Sequence, residues 1–414
     1  MANNNNKDKC NVPHLRFPEF SGEWETKSIN DLADVIGGGT PDTTVKSYWD
    51  GGIQWFTPSE IGKNKFVDAS LRTITEDGLN NSSAKLLPPN TILLSSRATI
   101  GECSLSLREC ATNQGFQSLV SKKCNVDFLY YLIQTKKKDL IRKSCGSTFL
   151  EISANEVRKI QVSVPSDVEQ QKIAGLLSLI DKRIATQNKI IEDLKKLKSA
   201  IIEKVFCPPN QKQPVCRIKG FEQPLTTYKM NAFCSRIATK NMDAKCSLVL
   251  TIAAQYGLVN QGSFFNKSVA SENLTGYYLL HKGEFAYNRS YSAGYDWGTV
   301  KRLDNCDEGV LSTLYICFKI NETIVDSDFL TYYFESTKWH KGLSDIAGEG
   351  ARNHGLLNVS MTDYFNTKHR FPSMEEQKVI AKMLNAITER EKKAIVLGEC
   401  YRKQKQFLLC QMFI

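Results

Sequence analysis

Two copies of one short segment lie 207 residues apart in this chain of 414 residues. Residues 165–174 read PSDVEQQKIA, and residues 372–381 read PSMEEQKVIA. Each copy follows a short segment in which apolar and polar residues alternate, and each begins a long segment rich in charged and apolar residues. A repeat at this interval predicts two related halves, each a globular domain followed by a long helix.

The start of each long helix is marked by residues that satisfy free backbone N–H groups. Ser166 and Ser373 are placed to act as N-caps, and Glu169 and Glu376 follow three residues later. Together these pairs form the sequence pattern of a capping box, and an acidic first turn also suits the helix dipole. The helices are therefore predicted to begin at residues 166 and 373.

The first long helix has the pattern of a coiled coil. From residue 173 to residue 205, ten positions alternate steps of four and three, and eight of them are apolar. This seam includes Ile173, Leu177, Ile180, Ile184, Ile191 and Leu194. In the second helix the seam contains Ile380, Leu384 and Ile387, is interrupted by Glu391 and Gly398, and is expected to shift to Leu397, Tyr401, Leu408 and Met412. A single helix of about 60 Å is not stable alone, so we expect each helix to pack on the other.

Weaker matches in the same order extend the repeat upstream. Phe128–Tyr131 matches Phe329–Tyr332, and Leu94–Arg97 resembles Tyr287–Arg289. Strands are predicted at Thr91–Leu94, Ser247–Ile252 and Thr313–Phe318, and shorter helices at Val126–Lys138 and Ser327–Leu343. The predicted fold class is α+β, with a first domain at 1–165, a helix at 166–206, a linker at 207–223, a second domain at 224–372 and a second helix at 373–414.

The net charge of +10 and the pI near 8.9 favour an anionic partner, usually a nucleic acid. Basic residues crowd one stretch, which contains Lys122, Lys123, Lys136, Lys137, Lys138, Arg142 and Lys143. They fit either a solvated helix face or contacts to phosphates. The sequence has no apolar run long enough to span a bilayer and no signal peptide at its start, so we expect a cytoplasmic location.

Motifs for catalysis and for metal binding are missing from the sequence. The strings Leu87–Asn90 and Cys207–Asn210 lack both ends of the adenine-methyltransferase motif, and Gly37–Pro41 is a turn rather than a P-loop. Glu376–Lys378 has the Glu-x-Lys string of a nuclease, but helix capping explains it better. Neither the 13 cysteines nor the five histidines have metal-ligand spacing, so no metal and no cofactor is expected.

Several of these segments resemble the specificity subunits of type I restriction-modification systems. Pro13–Phe20 is similar to their N-terminal segment, and Leu94–Gly101 with Thr112–Phe116 looks like their target recognition domains. Tyr287–Tyr295 has the same likeness in the second half. The Pro-x-x-x-Glu-Gln-x-x-Ile-Ala start of each helix resembles the start of their spacer regions. The resemblance covers nearly the whole chain, and the duplicated order is its most specific part.

The resemblance implies a subunit that recognises DNA and carries no catalysis. It implies two target recognition domains, each reading one half of a split double-stranded DNA sequence, and two spacer helices that form an antiparallel coiled coil. It also implies two methyltransferase subunits as partners, and two motor-nuclease restriction subunits in the full complex.

Base edges and phosphates are contacted by a limited set of side chains, mainly basic, amide and hydroxyl groups. The candidates in the first half are Lys46, Tyr48, Trp49, Ser95, Ser96, Arg97, Thr99, Asn113 and Gln114. The candidates in the second half are Asn288, Arg289, Tyr291, Tyr295, Trp297 and Arg352. Each of them is also a plausible structural residue of a turn, and Arg97 and Arg289, which are shared by both halves, are equally suited to a structural role or a phosphate contact.

Three other interpretations remain open from the sequence alone. A methyltransferase that reads its own target would bind S-adenosylmethionine. A coiled-coil scaffold would show no salt-dependent binding of DNA. A protein that reads RNA would be expected to carry an aromatic RNA-binding motif, which the sequence lacks.

Overall fold

The computed structural model describes residues 11–146, 150–265, 273–290, 294–348 and 357–414, and the chain divides into two compact units. Unit 1 consists of residues 1–189 and 395–414, and unit 2 consists of residues 190–394. The polar N-terminal segment 1–10 lies outside the described residues. Both long helices contribute one part to each unit.

Unit 1 is built from short strands and helices. Its strands are β1 (Glu25–Ser28), β2 (Ala33–Gly37), β3 (Trp49–Phe56), β4 (Phe66–Val67), β5 (Arg72–Ile74), β6 (Ile92–Leu94), β7 (Cys103–Ser106), β8 (Cys110–Thr112), β9 (Gln117–Ser121) and β10 (Gln161–Val164). Its short helices are α1 (Ile29–Leu32), α2 (Glu76–Asn80), α3 (Val126–Thr135), α4 (Lys137–Arg142) and α5 (Ala154–Arg158).

The strands of unit 1 form three sheets. Five strands lie in the order β2-β9-β6-β7-β4, three lie in the order β5-β3-β8, and β1 pairs with β10. The pairings are antiparallel except β3 with β8 and β4 with β7. The main core packs sheet residues such as Ile92 and Leu119 against Phe128 of α3 and Leu177 of the first long helix. A separate small core surrounds Trp49 and Trp55.

Unit 2 has its own strands and short helices. Its strands are β11 (Thr226–Lys229), β12 (Cys234–Arg236), β13 (Leu250–Ala253), β14 (Gly257–Asn260), β15 (Tyr278–His281), β16 (Phe285–Asn288), β17 (Thr299–Arg302), β18 (Glu308–Leu311), β19 (Ile316–Ile320) and β20 (Lys368–Phe371). Its short helices are α7 (Met230–Phe233), α8 (Gln261–Phe265), α9 (Ser327–Glu335), α10 (His340–Ser344) and α11 (Met361–Asn366).

The sheets of unit 2 are antiparallel. Four strands lie in the order β12-β19-β16-β17, and the pairs β11-β20, β13-β14 and β15-β18 are separate. The main core is strongly aromatic, and it packs Phe285, Phe318, Phe329 and Phe371 together with Leu384 of the second long helix. Both units therefore combine helices with mainly antiparallel sheets, in agreement with the predicted α+β class.

The two long helices have nearly the predicted bounds. They are α6 (Asp167–Val205) and α12 (Met374–Met412), each of 39 residues. Leu177 is fully buried, and the remaining predicted seam positions of α6 are buried or half-buried. The seam therefore lies on the less exposed side of the helix.

The predicted shift of the seam in α12 is wrong at Leu397, whereas the predicted positions Tyr401, Leu408 and Met412 are half-buried or buried. Leu397 is 42% exposed, whereas Gly398 is buried and Glu391 is half-buried. The original spacing therefore continues through both interruptions. Glu391 is tolerated there because its carboxylate lies 3.6 Å from Lys198 Nζ of α6. A second polar pair of the same kind joins Asp181 of α6 to Lys405 of α12 at 2.8 Å.

The predicted capping boxes are also wrong in one part. Ser373 Oγ accepts the backbone N–H of Glu376 at 3.4 Å, but the glutamate carboxylates do not return to the cap residues. Glu169 instead forms a bidentate ion pair with Arg16, at 2.8 Å for both contacts. Glu376 pairs in the same way with Arg217. Both carboxylates are almost completely buried. Leaving a buried carboxylate without a cation costs more free energy than leaving the cap residue without its second hydrogen bond, so the ion pair forms instead.

The glutamine after each glutamate joins the helix to its domain. Gln170 donates to the carbonyl of Pro165 at 3.0 Å and accepts the N–H of Asn125 at 3.0 Å. Gln377 makes the equivalent pair of bonds with Pro372 and Asp326. The repeated Glu-Gln dipeptide thus binds each helix start to the segments on either side of it.

Two predicted elements need correction. The helix predicted at 126–138 is broken at Lys136 into α3 and α4, and the helix predicted at 327–343 is broken after Glu335 into α9 and α10. At the second break, Ser336 Oγ and Trp339 Nε1 donate to the carbonyls of Tyr333 and Phe334 and so end the helix.

The predicted linker 207–223 contains Arg217, so part of it repeats the segment around Arg16.

Candidate nucleic-acid interface

Loops of unit 1 meet tightly at one edge of its sheets. A methyl group on Gly38 would overlap the carbonyl oxygen of Asn113, and one on Gly39 would overlap Ser83. The N–H of Gly39 also donates to the carbonyl of Thr112 at 2.8 Å. Only glycine permits this approach, and it brings the loops 38–48, 81–85 and 112–115 together. We call these three loops the loop cluster.

Trp49 supports the loop cluster from inside. It is 7% exposed, its Nε1 donates to the carbonyl of Asp42 at 3.1 Å, and it packs edge-on against Trp55. The Arg72 guanidinium lies 3.5 Å from the centre of the Trp49 ring. Trp55 Nε1 donates to the carbonyl of Gly39 at 2.9 Å. Because Arg72 covers its face, Trp49 holds the loop rather than offering a surface on which a base could stack.

The exposed side chains of the loop cluster are polar. Lys46 and Gln114 are exposed, and Tyr48 is half-buried. Asn113 is half-buried, and its Oδ1 accepts the N–H of Gly115 at 2.9 Å. Thr40 donates to Gln114, which ties two loops together. Sequence reasoning missed the exposed Thr43, Thr44, Ser83 and Lys85, and the glycines at 38 and 39 were the available sign that these loops meet.

The turn at 95–101 divides the predicted residues into buried and exposed ones. Ser95 and Ser96 are fully buried, so their side chains are not available to DNA in this conformation. Ser95 Oγ donates to the carbonyl of Arg97 at 2.8 Å. Arg97 is 42% exposed and lies 2.8 Å from Glu151, and Thr99 is exposed.

The equivalent turn of unit 2 follows β16. Asn288 is half-buried and accepts the N–H of Ser290 at 3.0 Å. Arg289 is committed to the fold, since its guanidinium donates to the carbonyls of Val359 and Leu314 at 3.4 and 3.3 Å. A methyl group on Gly298, at φ +74°, would overlap the carbonyl of Asn288, so this turn also depends on close backbone packing.

Two further candidates in unit 2 frame the same turn. Tyr295 and Trp297 are half-buried, and the carbonyl of Trp297 accepts the Tyr287 hydroxyl at 2.9 Å. Tyr295 uses its carbonyl to accept the N–H of Gly298. The predicted residues Tyr291 and Arg352 lie outside the described residues.

The basic stretch of unit 1 is largely neutralised by partners. Five of its seven cations are engaged: Lys136 Nζ donates to the Ile414 carbonyl at 2.7 Å, Lys137 pairs with Glu102, Arg142 pairs with Asp139, Lys122 pairs with Asp34, and Lys143 lies 3.8 Å from Glu156. Burial lowers the pKa of Lys136. These side chains therefore contribute less to an anion-binding surface than their number in the sequence suggests.

The described ranges contain neither a cluster of metal ligands nor a membrane-spanning helix. Within them, no three His, Cys, Asp or Glu side chains are grouped closely enough to hold a metal ion. No helix in that part of the chain has the length and apolar character needed to cross a bilayer. Glu376 of the nuclease-like string is occupied by Arg217.

The match to a family model lies within the first half of the chain. Residues 21–196 match the model of the type I restriction modification DNA specificity domain. The MjaIX specificity subunit of Methanocaldococcus jannaschii is 38% identical over 189 residues, and the EcoR124I/EcoR124II specificity subunit of Escherichia coli is 31% identical over 188 residues. These alignments cover 44% of this chain, and 44% and 45% of the respective relatives.

Longer but weaker likenesses extend over the whole chain. The MjaVIII specificity subunit of M. jannaschii is 24% identical over 427 residues, which cover 95% of this chain and 90% of that protein. A crystal structure of a type I restriction-modification S subunit from M. genitalium has a TM-score of 0.55 at 15% identity, covering 97% of this chain and 99% of the other. A structure described for the assembly of a type I restriction-modification system has a TM-score of 0.53 at 13% identity, over 96% and 98% of the two chains. The two structural likenesses concern the fold.

Proposed function

We propose that this chain selects the DNA sequence on which a type I restriction enzyme acts. The proposal follows from its similarity to the specificity subunits of such enzymes, which includes a DNA specificity domain at residues 21–196. The match of residues 21–196 is the observation that carries the proposal. The likeness to the MjaVIII subunit along 95% of this chain supports extending the assignment to the second half.

In this proposal each half of the chain reads one half of a split DNA target. The recognition domains are residues 1–165 and 224–372, and α6 and α12 form an antiparallel coiled coil that spaces them. Two ion pairs support the antiparallel arrangement, namely Asp181 with Lys405 and Lys198 with Glu391. From the first pair to the second, the residue number rises in α6 and falls in α12. Half-sites on one face of DNA lie about 34–36 Å apart, and a helix of 39 residues is about 58 Å long, which is enough to hold that distance.

The loop cluster is the proposed reading surface of the first domain. Lys46, Asn113 and Gln114 are its proposed base or phosphate contacts, with Lys85 added from the geometry. Arg97 and Thr99 are proposed to contact the backbone beside it. In the second domain, the proposed contacts are Asn288, Tyr291, Tyr295, Trp297 and Arg352. Direct contact through Ser95, Ser96 and Arg289 is not retained, since these side chains are buried or bonded within the fold.

The proposed partners are double-stranded DNA, two methyltransferase subunits and, in a full complex, two restriction subunits. The chain itself is proposed to be non-catalytic and to need no cofactor, and the complex is proposed to act in the cytoplasm, where its DNA lies. The buried Arg16–Glu169 and Arg217–Glu376 pairs suit this role, because they fix the ends of each domain without creating a reactive site.

A methylation map tests the proposal. The chain is expressed with the methyltransferase encoded beside it, in a host that lacks other DNA methylation, and modified bases are located by sequencing. We expect one split motif with a fixed gap that disappears when this chain is omitted. Modification that is unchanged without the chain, given confirmed expression and assembly, would refute the proposal and favour a scaffold.

A further inference from the structure

A buried lysine joins the globular part of unit 1 to its long helix. Lys65 precedes β4 and has only 8% of its side chain exposed. Its Nζ lies 2.6 Å from Asp127 of α3, 3.1 Å from the Tyr131 hydroxyl and 2.8 Å from Ser178 of α6. One ammonium group therefore binds a loop, a domain helix and the long helix together.

The network continues from α3 into the second long helix. The Tyr131 hydroxyl donates to Asp181 of α6 at 2.6 Å, and Asp181 pairs with Lys405 of α12 at 2.8 Å. Burial first, and the bond to Asp181 second, raise the pKa of Tyr131, so the hydroxyl remains a donor. Asp181 and Lys405 have only 16% and 18% of their side chains exposed. We call these contacts the unit 1 network.

Unit 2 contains a similar network. Its cation is Arg302 at the end of β17, a different strand from the one that Lys65 precedes, and it lies 2.7 Å from Asp328 of α9. Asn385 of α12 donates to Asp328 at 2.7 Å, and the Tyr332 hydroxyl contacts Asn385 and Thr388 at 2.8 and 2.9 Å. Asp328 and Tyr332 occupy the α9 positions that Asp127 and Tyr131 occupy in α3. We call these contacts the unit 2 network.

The final cation is also repeated. Lys198 and Lys405 are 207 residues apart, which is the spacing of the repeat. Lys198 Nζ lies 3.7 Å from Glu335 of α9 and 3.6 Å from Glu391 of α12. Each network therefore connects the domain helix of its unit to both long helices.

We propose that these two networks fix the angle of each recognition domain on its long helices, and that Lys65, Tyr131, Arg302 and Tyr332 are positioning residues for the gap between the half-sites. Apolar side chains pack against each other in several neighbouring arrangements with similar energy. Buried polar groups do not, because any arrangement that leaves one unpaired is strongly disfavoured. This inference rests on the proposed function.

Selecting one gap length requires the angle of each domain to be held within a small range, which such a network can provide. One base-pair step along a DNA strand is about 3.4 Å. A domain of about 150 residues has a radius of gyration of about 15 Å. A rotation of about 13° at the helix therefore moves the reading surface by one base pair. The bonds of Tyr131 and Tyr332, at 2.6–2.9 Å to α6 and α12, lie close to the axis of such a rotation and would be strained by it.

The test uses the full chain assembled with its methyltransferase and three duplexes. The duplexes carry the mapped target with its native gap, with one base pair fewer and with one more. The variants are Tyr131→Phe, which removes one oxygen, and Lys65→Gln, with Lys63→Gln as the matched control on an exposed lysine of the same loop. We expect the preference for the native gap to fall about tenfold in both variants, as for the loss of one bond to a charged group, and to stay unchanged in the control.

Two further measurements separate positioning from stability and from base reading. The preferred bases within each half-site should stay the same in every variant. Lys65→Arg should keep the gap preference, because it keeps a cation beside Asp127, as Arg302 is beside Asp328. Should Tyr131→Phe, which is expected to fold, keep the native gap preference, the networks do not position the domains. Should the wild-type complex modify no split sequence of fixed gap, the proposed function fails, and this inference fails with it.

Discussion

Replacing Arg16 by methionine should destabilise unit 1, whereas the same change at Arg108 should not. Both arginines form bidentate ion pairs through Nε and Nη2, Arg16 with Glu169 at 2.8 and 2.8 Å and Arg108 with Asp68 at 2.7 and 2.8 Å. The pairs differ in burial: the side chains of Arg16 and Glu169 are 14% and 1% exposed, and those of Arg108 and Asp68 are 57% and 52% exposed. Arg16 also donates to the carbonyls of Ser21 and Gly22, so its replacement removes these bonds together with the buried ion pair.

The size of the effect follows mainly from the difference in burial. Removing one partner of a buried ion pair leaves a charge without compensation and costs about 3–5 kcal/mol. Because Arg16 keeps some exposure, we expect about 3 kcal/mol for Arg16→Met. The exposed Arg108 pair should contribute less than about 1 kcal/mol. With a urea m-value of about 2 kcal/mol per molar, these energies move the unfolding midpoint by about 1.5 M and by less than about 0.5 M.

The assay is urea unfolding of the full chain followed by tryptophan fluorescence, with hydrogen exchange to assign the transition to unit 1. Trp24 is a suitable reporter, because it is buried in the main core of unit 1 against Phe128 and Phe413. The double variant Arg16→Met with Glu169→Gln should recover part of the loss, since the orphaned charge is gone. Equal midpoint shifts for Arg16→Met and Arg108→Met would contradict the argument from burial.

Three other predictions concern the seam, the pH dependence and DNA contact. Leu177→Asp places a charge at a fully buried site, so it should lower the free energy of unfolding by about 3 kcal/mol or more and prevent assembly with the methyltransferase. Leu179→Asp, at a 59% exposed site of the same helix, should change the free energy of unfolding by about 0.5 kcal/mol or less. Equal effects of the two changes in urea unfolding would argue against the seam. Burial lowers the pKa of His369 to about 3. The stability that neutral His369 provides is therefore complete above pH about 6.5 and falls by up to about 1.4 kcal/mol per pH unit below it. His369→Val should flatten this slope between pH 7 and 5, and an unchanged slope would show that other groups cause it. Lys46→Ala should weaken DNA binding and lower its salt slope by about 1 without altering the target, whereas a changed target at constant slope would make Lys46 a base contact.

Local patterns predicted the long helices well but could not predict their partners. The bounds of α6 and α12 follow from capping serines and apolar spacing, both of which act within a few residues. The buried partner of Glu169 is Arg16, which lies 153 residues away in the sequence, and no local pattern contains that information. The seam of α12 was misjudged for the same reason, because Glu391 is acceptable only when Lys198 is known to face it.

Predictions of the DNA-contacting residues were limited by burial. Ser95 and Thr99 are equally polar and lie in one turn, yet the first is fully buried and the second is exposed. Arg289 was a candidate as a basic residue in a turn, but its guanidinium donates to carbonyls of the fold. Lys85 was missed because the loop that carries it is distant in sequence from the glycines that bring it to the loop cluster. Which polar residues of a turn are accessible depends on contacts that form only in the folded chain.

The pairing of β1 with β10 has a consequence for how this kind of chain can diversify. Glu25 faces Val164, and Thr226 faces Phe371 in the equivalent pair of β11 with β20. Paired Cα atoms in antiparallel strands lie about 5 Å apart, so each domain leaves and rejoins the chain at nearly one point. Insertions, deletions or a wholly different loop set between those strands would leave the path of the flanking segments unchanged. Under the proposed function, a new sequence preference could therefore arise in those loops of one domain that do not contact the long helices, while the contacts of Phe128 and Tyr131 with them are kept.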